Sequence, residues 1–107
     1  MIFITGPLYS GKRDYVQALL DCTEEELRAR AVWDVQDRAA DCADLNALAD
    51  ELARFEVVIA TEVGGGVVPV DPAQRAAREA AGRLSCLLAQ RAQRVVRVLC
   101  GLPLVLK

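Results

Sequence analysis

The sequence predicts an α/β fold, a parallel sheet held between two layers of helices. Apolar runs with strand character alternate along the chain with stretches of helical periodicity, an order that builds a parallel sheet with right-handed crossovers. One run, Val57-Val58-Ile59-Ala60, is continuously apolar and β-rich, as expected of a strand covered on both faces. The chain has 107 residues, of which 53% are hydrophobic and 5% aromatic, so residues 1–107 should form a single domain with one core of Ala, Val and Leu.

Taken in order, Met1 to Thr5 is a short β-rich run closed by Gly6-Pro7. After Gly11, residues Tyr15, Val16, Leu19 and Leu20 recur at helical spacing. Thr23 and Glu26 form a Thr-x-x-Glu capping box, which starts a short helix running to about Arg30. Ala31 to Val35 reads as a second strand. Asp41 or Asp44 then caps a helix with Leu45, Leu48, Ala49 and Leu52 on one face, ended by Phe55. The buried run 57–60 opens into Thr61-Glu62-Val63-Gly64-Gly65-Gly66, whose three glycines belong to no regular element.

Asp71-Pro72 is an N-cap with proline at the first helical position. The helix it starts runs to about Gln93 and carries Ala77, Ala80, Ala81, Leu84, Leu87 and Leu88 on one face. Val95 to Leu99 is a last strand, and Gly101-Leu102-Pro103 turns into an apolar tail.

Charge and residue types exclude several functions. With 13 basic and 15 acidic residues the net charge is −2 and no basic stripe stands out, so a nucleic-acid partner is not expected. No run approaches the about 18 apolar residues of a membrane span, and the opening residues lack a signal-peptide pattern, so a cytoplasmic protein without a membrane partner is expected. Cys22, Cys42, Cys86 and Cys100 are widely spaced and there is no histidine, so no Cys/His zinc pattern can be written. The cysteines read as reduced, mostly buried small hydrophobes. Without histidine there is also no Ser-His-Asp or Cys-His nucleophile pair.

The chemistry concentrates at Gly6-Pro7-Leu8-Tyr9-Ser10-Gly11-Lys12, which fits G-x-x-x-x-G-K between a strand and a helix. In such a loop backbone amides turn inward around a phosphate, the helix N-terminus adds roughly half a positive charge, and the lysine adds a full one. The expected fold is therefore three-layer and P-loop NTPase-like (RecA-like), with ATP or GTP bound at Gly6 to Arg13. The alternative is a Gly-rich turn with an exposed lysine; agreement of the three fixed positions and both flanking elements favours the phosphate reading.

Arg13 stands where such loops carry the Ser or Thr that holds magnesium, which leaves no metal ligand assigned and the Mg2+ requirement open. Arg13 either contacts phosphate or begins the solvent face of the helix. Asp34 and Glu62 sit near strand ends, where ligands collect in open α/β sheets. With Lys12 they are the candidate catalytic residues, and Arg75 or Arg78 is expected to reach the same edge as a substrate or phosphate contact.

The stretch Thr61 to Pro69, followed by Arg75, Arg78, Glu79, Gly82, Arg83 and Leu87-Leu88-Ala89, resembles the "NEVG-x-GIVP … R-x-x-R-D/E-x-x-G-R … LLA" pattern of the adenosylcobinamide kinase/adenosylcobinamide-phosphate guanylyltransferase family of cobalamin biosynthesis. Glu62, Gly64, Gly66, Pro69, Arg75, Arg78 and Gly82 fall on matching positions, and Val98 to Lys107 is similar to the family's close. The resemblance covers about residues 1–20 and 56–107, and Val32-Trp33-Asp34 is similar to a family strand ending in an acidic residue near the nucleotide. It implies transfer of the γ-phosphate of ATP or GTP to the aminopropanol hydroxyl of adenosylcobinamide, a corrinoid substrate, by homo-oligomers that are typically trimers. The family also carries a histidine that accepts the guanylyl group. Here the corresponding region is compressed into Asp14 to Ala31 and holds no histidine, which removes guanylyl transfer by that route. Arg13 and the Ser85-Cys86 pair also depart from the pattern. A kinase, a nucleotide-binding accessory protein without catalysis, and a structural domain whose loop holds an adventitious anion are the three readings that remain.

Overall fold

The structure, a computed structural model, describes residues 1–63 and 71–107. The glycine run Gly64 to Gly66 and the family position Pro69 lie outside the described residues. The first strand, β1 (Ile2–Gly6), runs down the middle of a five-stranded sheet of order β2-β3-β1-β4-β5. It pairs in parallel with β3 (Val57–Thr61) on one side and with β4 (Arg94–Leu99) on the other. The outer strand β2 (Ala31–Val32) adds to β3 in parallel, and β5 (Leu102–Val105) closes the far edge antiparallel to β4.

Successive side chains of a strand point to opposite faces, and β1 shows the result. Phe3 and, from neighbouring strands, Val58, Ala60 and Val95 pack with Leu48, Ala49 and Leu52 of α3 (Leu45–Leu52) and Leu84 and Leu88 of α4 (Pro72–Arg91). On the other face Ile4, Val57, Ile59, Val96 and Val98 pack with Val16 of α1 (Lys12–Leu20) and Leu27 of α2 (Glu24–Arg30). Two cores on one sheet explain why β3 is apolar without alternation: Val57, Val58 and Ile59 are each 0% exposed. Each such side chain contributes roughly 1.5–3 kcal/mol on burial.

Helix starts follow their caps. Thr23 Oγ1 accepts from the Glu26 amide at 3.2 Å, Asp44 Oδ1 from the Ala47 amide at 3.1 Å, and Asp71 Oδ1 from the Ala73 amide at 2.9 Å, so Asp44 rather than Asp41 opens α3. Each satisfies an amide with no partner in the first helical turn, worth about 1 kcal/mol.

Four expectations need correction. The second strand stops at Val32: Asp34 adopts left-handed angles (φ 52°), and Val35–Arg38 forms a short 3-10 helix that buries Val35. The long helix ends at Arg91, two residues before Gln93, because Gln93 and Arg94 already lead into β4. The strand expected over Val95 to Leu99 is not the last; Leu102–Val105, within the apolar tail, pairs with β4. The cysteines are not mostly buried, since Cys22 and Cys42 are half-buried and Cys86 and Cys100 exposed, although all four are free thiols. Among the described residues no helix is long and apolar enough to cross a membrane.

Candidate functional site

At the carboxyl end of β1 the chain has no room for a side chain. A Cβ on Gly6 would lie 2.4 Å from the Val98 carbonyl oxygen and 2.8 Å from Ser10 Oγ, so the strand leaves the sheet as glycine. The loop then rises into solvent, with Leu8 and Tyr9 exposed and Tyr9 at a left-handed φ of 58°, and returns at the buried Ser10. Gly11, at φ 91°, is the N-cap of α1 and supplies no side-chain cap, which leaves the first-turn amides of the helix to other acceptors.

Lys12 is 9% exposed and folds back over the loop. Its Nζ donates to the Pro7 carbonyl at 2.6 Å, the Gly6 carbonyl at 3.2 Å and, more weakly, Ser10 Oγ at 3.5 Å. Burial lowers its pKa, while the carboxylates of Asp34 and Glu62 act in the opposite sense. The cation predicted from the motif is therefore partly desolvated and lies in the field of both predicted acids.

Those two acids differ in what they can do. Glu62 follows β3, and register pairs Gly6 with Thr61, so the Glu62 amide donates to the Gly6 carbonyl at 2.8 Å. Its carboxylate takes a two-pronged grip from Arg97, Nε at 2.6 Å and Nη2 at 2.9 Å. That bond holds the Glu62 carboxyl below the usual carboxylate range, and burial opposes the effect. Among the described residues Asp34 has no arginine partner. Its Oδ1 accepts from Thr61 Oγ1 at 3.0 Å and from Gln36 Nε2 at 3.4 Å, while Gln36 Oε1 accepts the Thr61 amide at 2.9 Å. Asp34 is thus oriented by neutral donors and remains exposed at the end of β2.

Arg97 was not foreseen as a site residue. The signal was present: Arg97 is a charged residue inside the apolar run Val95-Val96-Arg97-Val98, and a half-buried charge requires a partner. Its register opposite Thr5 puts it beside the loop strand.

Arg13 turns away from the loop toward solvent, pairing with Glu24 of α2, as the solvent-face reading of this residue expects. Behind that pair a cavity of about 290 Å³ is lined by Leu27, Arg28, Trp33 and Asp34 as well. A second cavity, about 300 Å³, lies over the ends of β1 and β3 against α4, lined by Thr5, Gln36, Thr61, Glu62, Gly82 and Ser85 among others. It adjoins a third, about 290 Å³, to which Gln36, Ala77 and Arg78 contribute. Arg78 lines the cavity beside the carboxyl edge, whereas Arg75 is an exposed residue of the first turn of α4 that lines none of these three cavities.

Among the described residues there is no group of three or more His, Cys, Asp or Glu placed to hold a metal ion. Among the described residues Asp34 is the acid near Lys12 that no arginine engages, and position 13 offers no hydroxyl.

No curated protein matches the chain. A family model described as cobinamide kinase / cobinamide phosphate guanyltransferase matches residues 14–106. The matched span begins at Asp14, one residue beyond Arg13, and so does not include the loop Gly6 to Arg13.

Proposed function

Because the chain belongs to the cobinamide kinase / cobinamide phosphate guanyltransferase family, we propose that it binds a nucleoside triphosphate at Gly6 to Arg13 and transfers its γ-phosphoryl group to the hydroxyl of cobinamide or a similar alcohol. The observation that carries this reading is Lys12, buried at the head of a glycine loop and facing two acids of unequal commitment. The finer reading of the fold, P-loop NTPase-like and RecA-like, is supported by a central β1 that feeds this loop and α1.

In the proposed reaction the loop amides and Lys12 meet the charge of the β and γ phosphates; phosphoryl transfer asks for positioning and charge more than for covalent chemistry. The bond from the γ-phosphorus to the β-bridging oxygen breaks as the acceptor oxygen bonds to phosphorus. Asp34, held by Thr61 and Gln36, orients the acceptor hydroxyl and takes its proton. Glu62, fixed by Arg97, adds its negative field at the Lys12 ammonium. Arg78 faces the acceptor or a phosphate from α4, with Arg75 beyond it. The guanylyl half of the family's chemistry is not proposed for this chain, since it has no histidine to carry the group.

A second reading is favoured by Arg13, whose tie to Glu24 replaces a metal-holding hydroxyl. Under it the protein binds nucleotide and has lost the transfer step. Titration calorimetry with ATP and GTP, each with and without Mg2+, followed by a phosphate-transfer assay on adenosylcobinamide, separates the two. Binding with turnover supports the kinase; binding without turnover supports the accessory role. Absence of binding removes both and leaves a structural domain.

A further inference from the structure

The hairpin formed by β4 and β5 touches the phosphate loop at three of its residues. Val98, near the end of β4, is what denies Gly6 a side chain, through its carbonyl oxygen. Beyond the strand, Cys100 (φ 52°) and Gly101 (φ 74°) form a two-residue turn with both angles positive, the combination that suits the twist of a tight hairpin. The Gly101 amide donates to the Ser10 carbonyl at 2.7 Å. A Cβ on Gly11 would stand 3.0 Å from Gly101 Cα and 3.3 Å from its nitrogen. The hairpin therefore crowds both fixed glycines of the loop, in addition to the left-handed φ of Gly11 and the Ser10 hydroxyl beside Gly6.

We infer that the Cys100-Gly101 turn is a brace that holds the loop in its anion-accepting shape, and that Gly101 is a positioning residue for polyphosphate binding although its own atoms need not touch the ligand. The binding part of this inference rests on the nucleotide reading above; the shape part does not. Gly101 is the place to test it. A Cβ there meets no described atom within 4 Å, so Gly101→Ala changes only the cost of left-handed angles, whereas Gly101→Asn tolerates them.

Amide hydrogen exchange at Tyr9, Gly11 and Lys12 reads the loop without ligand, with Phe3, Ile4 and Ile59 as core controls. In Gly101→Ala the loop amides should exchange about 5- to 30-fold faster, the range set by the left-handed penalty, and in Gly101→Asn within about twofold of wild type. Inorganic tripolyphosphate titrated into the same proteins should bind Gly101→Ala more weakly by a similar factor, with Gly101→Asn restoring affinity. A turn that is merely structural would speed the core amides and leave the loop amides, which open by their own local route, at the wild-type rate; that result, or equal behaviour of the Ala and Asn variants, overturns the brace. Altered exchange with unaltered tripolyphosphate affinity overturns its role in binding. A wild-type protein that ignores tripolyphosphate overturns the nucleotide reading, while the exchange arm still decides whether the turn shapes the loop.

Discussion

At the scale of single residues, Lys12 concentrates the site's opposing demands. Its ammonium is partly stripped of water and answered by two loop carbonyls and two distant carboxylates. Charge-assisted contacts to phosphate are worth about 1.5–3 kcal/mol, so Lys12→Ala should weaken ATP or GTP binding at least tenfold by calorimetry. Glu62 makes a prediction of a different kind. Its carboxyl titrates lower in the folded protein than its ordinary value of 4.5 because Arg97 grips it. The folded state therefore binds that proton less readily than the unfolded chain. The resulting stability is present at neutral pH and lost as the pH falls through the carboxylate range. Because Arg97 is 37% exposed, solvent screening holds the effect to about 1 kcal/mol or less. In urea melts Glu62→Gln should be less stable than wild type at pH 7, and the gap should narrow as the pH falls below the ordinary carboxylate value.

Among the elements, β3 shows how much the residues reveal and where they stop. Its continuous apolar run identified a doubly covered strand, and the structure pairs it on both sides with every side chain from Val57 to Ile59 buried. Ile59→Ala should cost about 2–5 kcal/mol in denaturant unfolding, the usual toll of a buried aliphatic truncation. Helices α1 to α4 were legible for the same local reasons, periodicity and caps. The second strand was over-read because Val35 is β-branched, yet it is buried from a 3-10 helix, a choice made by packing against α4 rather than by propensity. Likewise β5 was invisible locally: four exposed residues including Pro103 take their order from β4 alone. Of the candidate site, the loop, Lys12, Asp34 and Glu62 could be named from spacing. Arg97 stood out only as a charge inside an apolar run, and its partner is a matter of register across 35 positions.

Over the whole molecule the apolar surface is unevenly spread. Leu102, Leu104, Val105 and Leu106 are each more than half exposed at one edge of the sheet, where an unpaired strand edge invites another chain. A homo-oligomer is expected, a trimer by the family resemblance, with this edge or the alanine-rich flank of α4 at the contact. Light scattering at micromolar concentration should give a mass well above 11.6 kDa, and Leu104→Ser with Leu106→Ser should shift it downward. A monodisperse monomer would remove the proposal. Incubation with labelled GTP, denaturation and mass measurement should show no guanylyl adduct on any residue, as expected of a chain without histidine.

The central place of β1 also bears on how the protein comes into being. Once synthesised, β1 finds one neighbour 55 residues later, at Val57, and the other only at Arg94. Until β4 has emerged, Phe3 and Ile4 belong to half a sheet with an open flank, and no local hairpin can shelter them in the meantime. Such long-range pairing is slow to form. This part of the nascent chain should thus stay protease-sensitive until β4 has emerged and then become resistant in a single step, one that ribosomes stalled before and after β4 would bracket.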